Sequence, residues 1–86
     1  MNKYRSTPQK ILDLHGCTRS EAKTVLLEVF KNGKCDHIRI ITGKGTFREQ
    51  GPVLRNFVKS FLYENDIRYC QSRIEDGGEG ALEIYL

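Results

Sequence analysis

The sequence predicts an α/β fold, a two-layer sandwich in which two helices cover one face of a four-stranded mixed sheet. Three observations point there. Apolar residues recur at helical spacing in two stretches, four short β-branched or alternating runs read as strands, and the elements follow one another as β-α-β-α-β-β.

Ile11 to Leu14 is the first strand; Leu12 and Leu14 face one side, Ile11, Asp13 and His15 the other, and Gly16 ends it. Thr18 with Glu21 forms a capping-box pair. Ala22, Val25, Leu26, Val29 and Phe30 then mark one helical face, so a helix is expected from about Arg19 to Asn32 with Gly33 as its stop. His37 to Thr42, "HIRIIT", is the second strand and runs into Gly-Lys-Gly. Pro52 suits a first helical position, and Leu54, Phe57, Val58, Phe61 and Leu62 carry a second helix to about Asn65. Ile67 to Arg73 and Ala81 to Leu86 are the third and fourth strands, joined by "IEDGGEG", whose glycines and acids signal a hairpin loop. Residues 1–9 lack hydrophobic periodicity and read as a flexible basic arm; residues 10–86 read as one domain.

Handedness fixes the topology. Strand-helix-strand crossovers are right-handed, so two helices on one face require strands one, two and three to progress in one direction. The closing hairpin then lets strand four enter antiparallel between strands two and three, giving the order 1-2-4-3. The opposite face, with Asp13, His37, Arg39, Arg68 or Ser72, and Glu83, is expected to lie open to water and ligand.

Composition narrows the function classes. A chain of 86 residues buries only about 60–65% of the surface its unfolded form exposes, which suits an open site on an extended ligand better than a deep cavity. Cys17, Cys35 and Cys70 are odd in number and form no Cys-x-x-Cys pair, so neither a disulfide framework nor a structural zinc site is signalled and a cytoplasmic setting is expected. Cys35 and His37 are too few to hold a metal by themselves. No apolar run approaches membrane-spanning length, so no membrane partner is expected. The net charge of +3 says less than its distribution: Lys34, Arg39, Lys44, Arg48, Arg55 and Lys59 face only Asp36 and Glu49 in residues 34–59, whereas residues 75–83 hold four acids and no base. Such asymmetry permits an electropositive face.

The chemistry gathers at one sheet edge. Ligand sites of parallel-strand sheets lie at the carboxyl ends of strands, and "DLHG" and "TGKG" end strands one and two, which the topology makes neighbours. Asp13 and His15 point the same way, so the carboxylate can steady the imidazole, whose ordinary pKa suits proton transfer near neutrality. The plain alternative is that Asp13 caps a turn and His15 is a surface residue. Gly43 and Gly45 expose backbone N–H groups around Lys44, a phosphate cradle without the spacing of a nucleotide P-loop; the plain alternative is a glycine-rich turn. Lys44 and Arg48 share that loop and are the candidate phosphate contacts, while solvation accounts for Arg55 and Lys59. Phe57 and Phe61 fall at core spacing. Phe47 in the loop and Tyr85 on the open face are candidates for stacking on bases.

"LDLHG", then Glu21-Ala22, "ITGKG", "GPVLR..V..FL" and "DGGEGALEIYL" resemble, in order, the motifs of the Smr (small MutS-related) domain family across residues 10–86. The resemblance implies a two-layer sandwich like the C-terminal domain of translation initiation factor three. It also implies binding of branched or structured nucleic acid and DNA-nicking or RNA-endonuclease activity. The family's Asp-x-His motif falls on Asp13 and His15, and its His/Thr-Gly-x-Gly motif on Thr42, Gly43, Lys44 and Gly45. Thr42 stands where many members have histidine, so it offers no second proton-transfer group, and Phe61 replaces a frequent tryptophan.

Three functions follow. The first is an endonuclease acting on RNA, or nicking structured DNA, with Asp13 and His15 catalytic and Thr42, Gly43, Lys44, Gly45 and Arg48 binding phosphate. The second is a noncatalytic nucleic-acid-binding module, and the third an adaptor on a ribosome or repair complex. Retention of both Asp13 and His15 favours the enzyme. No small-molecule cofactor is called for, and a divalent metal stays open.

Overall fold

The computed structural model describes residues 8–33, 35–43 and 53–86. The elements are β1 (Lys10–Asp13), α1 (Arg19–Asn32), β2 (His37–Ile41), α2 (Val53–Glu64), β3 (Arg68–Gln71) and β4 (Ala81–Tyr85). The sheet order is β1-β2-β4-β3, with β1 parallel to β2 and β4 antiparallel to both of its neighbours. Each element matches its expectation to within a residue or two at the ends. β1 starts one residue earlier than expected, and β3 is trimmed at both ends.

Local chemistry explains the helix boundaries. Thr18 Oγ1 accepts the Glu21 N–H at 3.1 Å while Glu21 Oε1 accepts the Thr18 N–H at 2.8 Å, so two otherwise orphaned donors are satisfied reciprocally. At the other end Gly33 takes φ 57°, a left-handed conformation, and its N–H reaches Val29 O at 3.4 Å. Gln9, expected in the arm, is tied to the domain: its N–H donates to His37 O at 2.9 Å and its side-chain oxygen accepts from Asp36 N at 2.5 Å. Residues 1–7 of the expected arm lie outside the described residues.

Strand alternation divides the side chains. Leu12, Ile38, Ile40, Leu82 and Ile84 meet Ala22 and Leu26 of α1 and Val58, Phe61 and Leu62 of α2 in one buried cluster, so both helices cover the same face. Phe61, where the family resemblance anticipates tryptophan, stacks on Phe30 with ring centroids 6.0 Å apart.

The other face differs from expectation. His37, Arg39, Ser72 and Glu83 do lie on it, but His37, Ser72 and Glu83 are buried rather than open to water. Glu83 Oε1 is 2.5 Å from His37 Nε2, and Glu83 Oε2 accepts from Arg39 Nε at 2.7 Å and from the Ser72 hydroxyl. The β3–β4 connection reaches over Arg39 on this face, while His37 lies against the Tyr85 ring. Instead of a simple hairpin loop the connection forms two 3-10 turns, Ile74–Asp76 and Gly78–Gly80, and Asp76 Oδ2 approaches Arg39 Nη2 at 3.5 Å. Burial works against the Glu83 carboxylate, yet hydrogen bonds from Ser72, Arg39 and His37 outweigh it and hold its pKa below the ordinary 4.5.

A depressed carboxylate contributes stability that is complete above its unfolded pKa and lost as pH falls through its folded one. Glu83→Ala is expected to cost about 3–5 kcal/mol at neutral pH, because it removes from a buried site the acceptor that His37, Arg39 and Ser72 share. Glu83→Gln is expected to flatten the loss of stability below pH 4.5. Urea unfolding across pH checks both.

Candidate functional site

The carboxyl ends of β1 and β2 meet as the alternation and topology require. The Leu14 N–H continues the parallel ladder to Ile41 O at 2.7 Å, and the chain then turns through Gly16 at φ 82°. Asp13 leaves the sheet on the helix-free face, opposite Ile41. The turn folds His15 back on it: Asp13 Oδ1 accepts the His15 N–H at 3.2 Å and bonds His15 Nδ1 as well. The side-chain bond from His15, reinforced by the backbone bond, lowers the Asp13 pKa below 3.8. Asp13 is thus ionised throughout the neutral range. An ionised carboxylate has no proton to give, so Nδ1 carries the hydrogen and a neutral ring presents its lone pair at Nε2. The two side chains are 53% and 68% exposed, which leaves the pair accessible to a large ligand.

At the end of β2, Gly43 adopts φ 76°, a conformation that penalises any other residue. A Cβ built on it would lie 3.6 Å from His15 Cβ, so the two motifs are in van der Waals reach. Gly80 sets this strand end. Its carbonyl accepts the Thr42 N–H at 2.8 Å and the Gly43 N–H at 3.0 Å. Thr42, expected among the phosphate-binding residues, is instead buried, with its hydroxyl donating to Gly43 O at 3.1 Å. The Gly43 amide, expected in the cradle, is likewise committed to Gly80. Lys44, Gly45 and Arg48, together with Phe47, lie outside the described residues.

Sequence reasoning missed the part played by the Gly78–Gly80 turn and by Arg55. Arg55 Nη1 donates to Glu79 O at 3.0 Å, which braces from α2 the turn that holds Thr42 and Gly43. The glycines of "DGGEG" signalled a turn, but nothing in their spacing said that its carbonyl would cap β2. Among the described residues, no three His, Cys, Asp or Glu side chains converge as a metal site, and no helix is long and apolar enough to cross a membrane.

Comparison with known proteins agrees with this fold. Residues 12–86 match the Smr domain family. The Smr domain of Thermus thermophilus MutS2 superposes with a TM-score of 0.76 at 23% identity, covering 90% of this chain and 96% of that one, a likeness of fold. The B3BP Smr domain gives 0.69 at 28% identity over 92% and 79% of the two chains. The stand-alone small MutS-related protein YdaL from Escherichia coli gives 0.69 at 25% identity, covering 88% of this chain and 63% of YdaL. No curated protein sequence matches the chain. With its four-stranded sheet, its paired strand ends and a family match over residues 12–86, the chain belongs to the Smr domain family, known for nucleic-acid binding and nuclease-related roles.

Proposed function

We propose that this chain is an endonuclease that cleaves RNA, using His15 as the proton acceptor. The observation that carries the reading is the hydrogen-bonded, solvent-exposed Asp13–His15 pair at the carboxyl end of β1. Binding alone calls for no such pair, since phosphate contacts are made by cations and amides. In the proposed reaction His15 Nε2 takes the proton of the 2′-hydroxyl, and the 2′-oxygen attacks the adjacent phosphorus. The 5′-oxygen leaves with a proton from water or another side chain. Asp13 fixes the ring tautomer and stabilises the imidazolium as it forms, as carboxylates do for catalytic histidines elsewhere. Lys44, Arg48 and the amides of residues 44 and 45 are the proposed stabilisers of the phosphorane oxygens.

His15→Ala is expected to abolish cleavage while leaving the fold and nucleic-acid affinity nearly intact, because the side chain is 68% exposed. Circular dichroism, a binding titration and a cleavage assay on one preparation test this. Normal cleavage by the variant would remove His15 from the chemistry, and cleavage-free binding by the unsubstituted protein would favour the noncatalytic module.

Lys44→Ala and Arg48→Ala are each expected to weaken binding regardless of sequence. Each should reduce the salt slope of binding by roughly 0.7–0.9, the effect of leaving one phosphate without its cation. Unchanged slopes in both variants would take this loop off the binding surface.

The mechanism makes a product prediction. RNA fragments should carry 2′,3′-cyclic phosphate and 5′-hydroxyl ends, form in EDTA, and fail to appear when the scissile 2′-hydroxyl is replaced by hydrogen. Efficient cutting of that deoxy substrate, or strict magnesium dependence with 5′-phosphate products, would overturn the mechanism in favour of metal-assisted hydrolysis with Asp13 as a ligand.

A further inference from the structure

The carboxyl edge of the sheet is met by a cation to which the cleavage chemistry above gives no part. Arg55 stands in the first turn of α2, half-buried, and its Nη1 donates to Glu79 O at 3.0 Å. Glu79 precedes Gly80, whose carbonyl holds the Thr42 and Gly43 amides, and Gly43 in turn lies against His15. A single turn thus links the guanidinium to the edge where Asp13 and His15 stand. The acceptor that Arg55 has found is neutral. Its Nε is buried without a hydrogen-bond partner, and the guanidinium makes no ion pair among the described residues. Arg39, by contrast, commits its charge to Glu83 and Asp76. Cations withdrawn from water are normally paired with an anion, and a buried donor without an acceptor calls for an explanation.

We infer that Arg55 binds a backbone phosphate of the RNA held at this edge, an inference that rests on the RNA-cleaving reading above. A guanidinium offers donors only, so its ligand must supply acceptors, and among the acceptors of RNA phosphate alone brings the missing negative charge. The fork formed by Nε and Nη2 matches two oxygens of one phosphate, and Nη1, anchored on Glu79 O, fixes how that fork is presented. The first turn of α2 carries no acid, and the positive end of the helix dipole favours the same ligand. Thr42 and the Gly43 amide, expected to hold phosphate, are committed within the protein, so Arg55 supplies at the end of β2 the contact that they do not. Nε is closed to water in the free protein, so engaging it requires the side chain or its surroundings to shift, and its N–H signal reports that event.

The experiment compares the unsubstituted protein with Arg55→Gln, which keeps a donor for Glu79 O and loses the charge, and with Arg55→Lys, which keeps the charge and loses the fork. Binding is titrated at several salt concentrations on a single-stranded RNA whose scissile 2′-hydroxyl is replaced by hydrogen, so that binding is read apart from cleavage. Arg55→Gln is expected to weaken binding about 10- to 150-fold, the range of a hydrogen bond to a charged group. It should also lower the salt slope by roughly 0.7, the share of one single-strand phosphate. Arg55→Lys is expected to restore the slope and only part of the affinity. In the unsubstituted protein the Arg55 Nε–H signal, followed by NMR, is expected to move when this RNA is added and to stay in place when sodium chloride of equal ionic strength is added. An arginine that merely braces the Glu79 turn would lower kcat on cleavable RNA in the glutamine variant without changing the salt slope, and that result overturns the inference. So does an Nε–H signal that RNA leaves in place, a measurement that decides the matter even where Arg55→Gln fails to fold. Arg55-dependent binding by a protein that cleaves no RNA would keep the phosphate contact and discard the enzymatic reading. Cleavage whose KM and salt dependence neither variant alters would do the reverse.

Discussion

Glu83 is the carboxylate around which the central strands are organised. It sits between Leu82 and Ile84, both fully buried, in a strand with neighbours on either side. Desolvating a carboxylate costs several kcal/mol unless its lone pairs are satisfied. The donors come from both sides: His37 and Arg39 from β2, and Ser72 from the residue that follows β3. One side chain thereby ties three strands together. It also fixes register, because a slip of one residue would turn Glu83 into the helix-facing core and Leu82 toward Arg39.

β2 is held at both ends by different means, and the site depends on both. Its beginning is fixed by the Glu83 network and by Gln9, its end by the Gly80 carbonyl that takes two consecutive amides. Between them runs a strand with little freedom to shift along its axis. Gly43 therefore meets His15 at a set distance, although the two residues belong to different strands and different turns. Arg55 extends this bracing into α2, so a helix with no residue at the strand ends still bears on where they lie.

The fold was legible because two periodicities alternate cleanly along the chain. Helical spacing in α1 and α2, period-two patterning in β4 and right-handed crossovers leave room for one simple topology. The pairing of Asp13 with His15 was legible for the same reason, as residues two apart at a strand end. Burial of the Glu83 network was not. Alternation assigns His37, Arg39 and Glu83 to the helix-free face, but it does not say what meets them there, and Asp76, which reaches Arg39, comes from a loop that folds through two 3-10 turns. A carboxylate, an imidazole and a guanidinium at matching register positions were the available signal that these charges satisfy one another. The role of Thr42 was hidden similarly, since a hydroxyl at a strand end reads equally well as a ligand contact or as a latch to neighbouring carbonyls.

Asp13 lies on an outer strand, and that position has a consequence for how molecules of this protein meet one another. Among the described residues β1 pairs with β2 alone, and an outer strand is one that a strand from another molecule can join. The strand is four residues long and begins and ends on charges, Lys10 and Asp13, while Ile11 between them is 53% exposed. Charges at both ends and shortness are the usual means by which a sheet edge resists extension into an aggregate. The carboxylate bonded to His15 thus also guards the edge. A chain that lost it would keep the exposed Ile11 and half of the protection, and its solutions would be correspondingly harder to keep clear.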